Sequence, residues 1–479
     1  MSTAIVWLRR DLRLHDHAPM AAATERGYGI IPVYVHDPDG EGDWPAGAAS
    51  RWWLHLSLAN LDSSLRALGS RLILRRGPSV ETLLALLRET GAGAVFWQRL
   101  YTPAAVARDQ DAKTRLRQAG AEVRSYPGGL LHEPWTVRTG EGHHYRTFTP
   151  FWKACRTLGE PRAPRGAVRI ESPARMPGSL ELESLELLPR TPWEGGLRQT
   201  WTPGEQGAEH AIERFLREGL AGYDLYRDLP AERGTSRLSP HLHFGEISPA
   251  QAHASIRAAA AHDGDGAAGA AEKFFSELGW REFAHHVLYH EPSMPDEPLD
   301  RRFAHFPWRA DGRGLLHAWQ RGRTGIPLVD AGMRELWHTG WLHNRVRMVA
   351  GSFLVKNLRL PWQLGERWFW DTLVDADLAN NSLGWQWVAG SGADAAPYFR
   401  IFNPVRQAER FDPAGRYIAR WLPELRALPA PARFAPWQAE PRALAAAGIE
   451  LGRDYPRPVV DLKSSREQAL DAFRAIKRR

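Results

Sequence analysis

Short apolar runs at Ala4–Trp7, Ile30–Val35, Leu72–Leu74 and Ala94–Trp97 alternate with segments near 47–68, 79–90 and 103–119, where apolar residues recur every three or four positions. The runs read as buried strands and the segments as amphipathic helices. Thr102-Pro103 supplies an N-cap and a first-turn proline for the third helix. Strand–helix alternation with right-handed crossovers predicts an α/β N-terminal domain, a doubly wound parallel sheet over about residues 1–130. Periodicity then fades. Residues 131–204 are expected to connect two domains, and the part from Glu160 to Gly204 carries seven prolines. From 205 to 479 the pattern is helical, with runs near 206–219, 249–261, 272–290, 327–338, 341–357 and 365–378. This predicts a mainly α C-terminal domain. The Ala/Gly stretch 258–271 is expected to hold an inter-helix loop, and the tail ending Lys477-Arg478-Arg479 a solvated surface.

Composition narrows the class. At 479 residues two cores are expected, and a formal net charge of +7 suits a polyanionic partner. A single cysteine, Cys155, excludes an intramolecular disulfide and a multi-cysteine metal site, fits a reducing cytoplasm, and leaves no metal site to propose. Nowhere do about 18 uncharged apolar residues run together, so no membrane association is expected. The first strand runs into RRDLRLHD and not into a glycine-rich turn, which argues against the usual dinucleotide fingerprint there. Twenty-one tryptophans provide packing mass, stacking surfaces or redox-active indoles.

Four clusters carry candidate chemistry. Tyr223 and Arg227 precede Gly234–Pro240, where Thr235, Ser236 and Ser239 offer hydroxyls and Ser239-Pro240 starts a helix. This reads either as an ordinary capped turn or as an anion site suited to a pyrophosphate. Glu277, Trp280 and Arg281 share a helix face, as do Asn344, Arg345 and Met348 on a later helix, with Arg347 turned aside. An acid, an indole and a guanidinium on one stripe can bond a base edge, stack on its ring and hold its phosphate, or form a salt bridge beside a packed tryptophan. The predicted helix 365–378 would deliver Asp375 and Asp377 at its end, followed by Asn380, Asn381, Trp385 and Trp387. So many polar groups beside an apolar helix require partners or a ligand.

The segments WLRRDLRLHD, GTSRLSPHLHFGEIS, ELGWREF, TGIPLVDAGMREL, TGWLHNRVRM, DADLANNSLGWQW and DAAPYFRIFNP resemble the photolyase and cryptochrome family over essentially the whole chain. The resemblance is strongest to the photolyases of cyclobutane pyrimidine dimers. It implies a helical domain holding FAD and light-driven splitting of pyrimidine dimers in DNA. By the same resemblance Tyr223, Thr235, Ser236, Arg237, Leu238 and Ser239 would bind FAD around its phosphates. Asp375 and Asp377 would line its flavin end, with Arg347 paired to Asp375. Asn381 would stand against flavin N5, where plant cryptochromes are expected to carry Asp and animal ones Cys. Trp385, Trp362 and Trp308 would relay electrons from the surface.

The resemblance further implies a lesion pocket between Trp280 and Trp387. Glu277 would hydrogen-bond the pyrimidines, which needs its protonated form or a donor on the base. Asn344, Arg345 and Met348 would form the wall, and Arg227, Arg281 and Gln407 would hold flanking backbone. Six-four photoproduct enzymes are expected to carry histidine where this chain has Asn344 and Met348, so cyclobutane dimers in duplex DNA are favoured. A signalling cryptochrome and a six-four photolyase are the alternatives. A second, antenna chromophore, methenyltetrahydrofolate or a deazaflavin, stays open, because Ala104 and Ala105 stand where folate-binding members carry an Asn-Glu pair. A cytoplasmic monomer acting on dimer-containing DNA is expected.

Overall fold

The structure is a computed structural model and describes residues 2–263, 265–395 and 399–477. Five parallel strands form one sheet: β1 (Thr3–Leu8), β2 (Gly29–His36), β3 (Ile73–Arg76), β4 (Ala94–Gln98) and β5 (Glu122–Tyr126), in the order β3-β2-β1-β4-β5. The helices between them are α1 (Ala18–Glu25), α2 (Ala48–Ala67), α3 (Ser79–Thr90) and α4 (Pro103–Gln118). Ala4 pairs with Ile30 on one side and Ala94 on the other, so the most apolar strand lies at the centre. Packing on both faces explains its continuous apolar run. The doubly wound α/β expectation holds, with α1 and β5 added. Both escaped the pattern, since α1 is a short alanine-rich helix of 8 residues and β5 reads Glu-Val-Arg-Ser-Tyr at the sheet edge.

The chain continues through α5 (Phe148–Thr157), α6 (Gly195–Thr200), α7 (Glu205–Glu218), α8 (Tyr223–Tyr226), α9 (Ser239–Phe244), α10 (Pro249–Asp263) and α11 (Asp265–His290). After these come α12 (Arg313–Gln320), α13 (Pro327–Thr339), α14 (Asn344–Ser352), α15 (Trp362–Thr372), α16 (Leu378–Ala389) and α17 (Pro404–Phe411). The C-terminal region is mainly helical, as expected. The loop expected within 258–271 shrinks: α10 reaches Asp263 and α11 begins at Asp265, with Gly264 outside the described residues. Alanine's helix propensity outweighs the glycines here. Ala396, Pro397 and Tyr398 of DAAPYFRIFNP, and Arg478 and Arg479 of the tail, also lie outside them.

Two compact units result, one of Met1–Ala221, Ser236–Pro292 and Val374–Ala379, the other of Gly222–Thr235, Ser293–Leu373 and Asn380–Arg479. They do not follow the 1–130, 131–204 and 205–479 division read from periodicity. Glu246 supplies one reason. Buried after α9, it accepts from Trp53 Nε1 on α2 at 2.8 Å, from the Gly204 backbone N at 2.8 Å, and lies 2.5 Å from His241 Nδ1. Side-chain tethers of this kind tie α9 and the connector to the sheet unit, and hydropathy cannot show them. No described helix is long and apolar enough to cross a membrane.

Gly245 closes α9 in the left-handed conformation, φ +66°, and a Cβ there would lie 2.2 Å from the Arg10 carbonyl oxygen and 2.7 Å from Asp11 Cα. Gly27 has a similar φ of +70° but open space around it. Gly245→Ala should therefore cost about 1–3 kcal/mol more than Gly27→Ala, the usual range for overpacking, read as the difference in denaturant midpoints. Equal losses would show that this close approach does not constrain the fold.

Candidate functional site

In the second unit the chain departs from the single helix expected over 365–378. α15 stops at Thr372, Leu373 turns extended, and α16 starts only at Leu378. β-Branched Thr372 and Val374, followed by Asp-Ala-Asp, favour such a break because short carboxylates compete for backbone N–H groups. Asp375 and Asp377 thus lie between helices, while Asn380, Asn381, Trp385 and Trp387 ride on α16.

One dipeptide of α15, Gly365-Glu366, receives three residues of α16. A Cβ on Gly365 would lie 2.1 Å from Trp385 Cη2 and 2.6 Å from Leu354 Cδ2, so only glycine admits the indole. Asn381 Nδ2 donates to the Glu366 carbonyl oxygen at 3.0 Å, and Ser382 Oγ donates to Glu366 Oε1 at 2.5 Å. A carbonyl can only accept, so the Asn381 amide is oriented by chemistry, with Oδ1 as its remaining acceptor. Glu366 is wholly buried. Burial pushes its carboxyl well above the usual range, against the lowering by the Ser382 hydroxyl. Trp385 packs 4.9 Å from Phe369 and 6.1 Å from Trp319 between ring centroids. Trp385 and Trp362 are buried, whereas Trp308 is half-buried against Phe306, 4.4 Å away. Two of the three indoles are thus in the interior and the third is partly exposed.

At the start of α14 the His343 imidazole accepts from Arg345 N, leaving Asn344 exposed and Met348 half-buried. Arg345 pairs with Asp228 at 2.6 Å and lies 4.4 Å over Phe411. Arg227 lies 5.3 Å over buried Tyr223, and the half-buried Trp387 has Arg400 5.2 Å from its ring. Arg347 donates to the Leu342 carbonyl at 3.4 Å. Gly234 presses on the chain at Tyr226, where a Cβ would meet backbone carbon and oxygen at 2.5 Å.

In the first unit, Arg237 adopts φ +55°, a left-handed turn that an arginine rarely takes, with its guanidinium 5.8 Å over Trp201. It sits between half-buried Ser236 and buried Leu238, before exposed Ser239 opens α9. That helix is only six residues long, so its dipole is a weaker anion attractor than the sequence implied.

Asp377 is buried, 3.4 Å from His285 Nε2 and 3.6 Å from His243 Nδ1. Burial alone would raise its pKa, but the two imidazoles more than offset this and hold it well below the usual carboxylate range. A cavity beside it is lined by Arg10, Arg99, Tyr101 and Arg281. The Arg281 guanidinium donates to the Gly129 carbonyl at 2.8 Å and lies 3.5 Å from buried Glu282. Trp280 is half-buried on α11. Phe148 on α5 covers one of its faces at 3.8 Å, planes 9° apart, and the half-buried Glu277 lies one turn earlier on α11. A Cβ on Gly279 would come within 2.7 Å of Trp152, which keeps α5 and α11 close.

Sequence reasoning missed Glu366, Ser382, His243, His285 and Phe148. Glu366 could have been noticed as an acid among the apolar residues of α15, and His243 inside HLHFG; Phe148 fell in a presumed connector. The second unit by itself offers groups that fit a flavin: the Asn381 amide oxygen is an acceptor, and Trp385 Nε1, Glu366 Oε2 and Gln407 Oε1 are buried without protein partners among the described residues. Buried polar atoms in that condition call for a ligand or water.

Comparison with known proteins agrees. Residues 4–168 match the DNA photolyase family model, and 274–475 match the model for the FAD binding domain of DNA photolyase. A deoxyribodipyrimidine photo-lyase of Agrobacterium fabrum is 46% identical over 99% of this chain and 98% of its own length. Cryptochrome-1 of Arabidopsis thaliana is 41% identical over 98% of this chain and 70% of its own length. A bacterial class III photolyase structure from Agrobacterium tumefaciens superposes with a TM-score of 0.96 at 46% identity, covering 100% of this chain and 98% of that one. The chain belongs to the DNA photolyase family.

Proposed function

We infer that this protein is a deoxyribodipyrimidine photo-lyase, a carbon–carbon lyase that uses FAD and light to split cyclobutane pyrimidine dimers in DNA. The observation that carries the reading is the fixed amide of Asn381: with Nδ2 committed to the Glu366 carbonyl, Oδ1 is an acceptor suited to the N–H at N5 of a reduced flavin. The photo-lyase relatives and the FAD-domain match support it. FAD held by these residues would supply light-driven one-electron transfer to the dimer with no net redox change.

The chain's own residues bind, orient and shield. Tyr223 and the Thr235–Ser239 turn hold the cofactor phosphates, and Arg347, Asp375 and Asp377 stand at its flavin end. Trp308, Trp362 and Trp385 carry electrons inward to keep the cofactor reduced. A flipped dimer stacks on Trp280 and Trp387 while Glu277 hydrogen-bonds its pyrimidines. Asn344, Arg345 and Met348 form the wall, and Arg227, Arg281 and Gln407 hold flanking backbone. Flipping costs a few kcal/mol and is cheapest for an already distorted lesion, which separates dimers from normal DNA. A monomer in the cytoplasm suffices, and methenyltetrahydrofolate or a deazaflavin would serve as an antenna.

The direct test is a repair assay with the flavin reduced and a thymine-dimer oligonucleotide under near-ultraviolet or blue light. Dimer loss in light and none in darkness is expected. Loss of a six-four photoproduct instead, or no light-dependent loss with FAD bound, would overturn the assignment. Glu277→Ala should lower the dimers split per photon several-fold while FAD stays bound, and an unchanged yield would remove Glu277 from the pocket. Trp280→Ala should raise the Kd for dimer DNA by roughly 5- to 150-fold, equivalent to ~1–3 kcal/mol of stacking. Phe148→Ala, which removes only the backing ring, should have a smaller effect on the same titration.

A further inference from the structure

The tie between α15 and α16 points beyond the residues named so far. Asn381 and Ser382 are consecutive, and both bond to Glu366, one to its backbone carbonyl and the other to its side chain. Ser382 is wholly buried, so without a carboxyl oxygen opposite it the hydroxyl would lose that acceptor. The link holds the first turns of α16 in register with α15. Register in turn decides whether the Asn381 amide reaches the Glu366 carbonyl.

We propose that Glu366 is the positioning residue that sets the Asn381 amide with Oδ1 toward the flavin. The inference rests on the reading that Asn381 faces flavin N5. The surroundings of Glu366 fit the uncharged form. α16 contains no ionisable residue. The charged groups acting on Glu366 are Asp296 from the loop after α11, which opposes ionisation, and Arg367 on α15, which favours it; they lie 3.9 Å apart and more than half exposed. Burial dominates both. Because the carboxyl is raised above its unfolded value, its contribution to stability is complete below the ordinary carboxylate range and is lost as pH rises toward the folded value.

The test is the midpoint potential of bound FAD in four proteins: the unaltered chain, Asn381→Ala, Glu366→Gln and Glu366→Leu. Asn381→Ala removes an acceptor for the N5 proton of the reduced flavin and should lower the potential. Glu366→Leu should shift it the same way, while Glu366→Gln, which keeps an oxygen for Ser382, should stay with the unaltered protein. Ser382→Ala, which deletes only the hydroxyl, should give a smaller shift in that direction and serves where the leucine variant loses FAD. As a second readout, Glu366→Gln should gain thermal stability relative to the unaltered protein as pH is raised from about 5 to about 9, because it has no proton to lose. If Asn381→Ala lowers the potential but neither Glu366→Leu nor Ser382→Ala does, the positioning role is overturned and the reading of Asn381 stands. If Asn381→Ala leaves the potential unchanged, that reading itself fails. A Glu366→Gln shift as large as that of Glu366→Leu, or no pH-dependent gain in stability, would overturn the uncharged-carboxyl account.

Discussion

The contact between Gly365-Glu366 of α15 and the first turns of α16 is the constraint on which the candidate site depends. A missing side chain at Gly365 lets the Trp385 ring reach the helix backbone, and the next residue bonds Asn381 and Ser382. Helices with ordinary side chains at the crossing stand 8–10 Å apart. Here a glycine and a buried carboxyl replace that layer, so an amide and an indole, one turn apart on α16, are fixed by the same short stretch of chain. Precision of this kind matters for electron and proton chemistry, where small displacements change rates steeply.

Two buried carboxyls reach opposite electrostatic outcomes. Asp377, with two imidazoles within 3.6 Å, is held ionised. Glu366, whose carboxyl accepts from the Ser382 hydroxyl, is pushed toward its neutral form. The difference follows from what each carboxyl meets, since burial opposes charge in both cases. One offers fixed negative charge, and the other keeps charge away from the amide it helps to hold. A similar economy governs Trp280, whose ring is covered on one side by Phe148 and so offers a single stacking face.

Much of this was legible in the sequence where the signal was local. Apolar runs located four strands, Thr102-Pro103 located the start of α4, and spacing put Glu277 with Trp280 on one helix face. The family motifs then supplied roles that no spacing could, such as that of Asn381. Non-local information was not legible. β5 and α1 lack a clear apolar period, and the break before Asp375 depends on turn chemistry that the apolar pattern of α15 masks. Glu246 joining α2 to α9, Arg281 turning to the Gly129 carbonyl, and Glu366 meeting Ser382 link residues far apart in the chain or on separate helices, and each is decided by packing.

The central claim is that α15 orients one amide so that its oxygen serves the cofactor. A crystal structure of the protein with bound FAD measures this most directly. The account predicts Asn381 Oδ1 within hydrogen-bond distance of flavin N5 while Nδ2 stays on the Glu366 carbonyl. A flavin ring lying elsewhere, or an amide turned away from Glu366 to present its nitrogen, would contradict it.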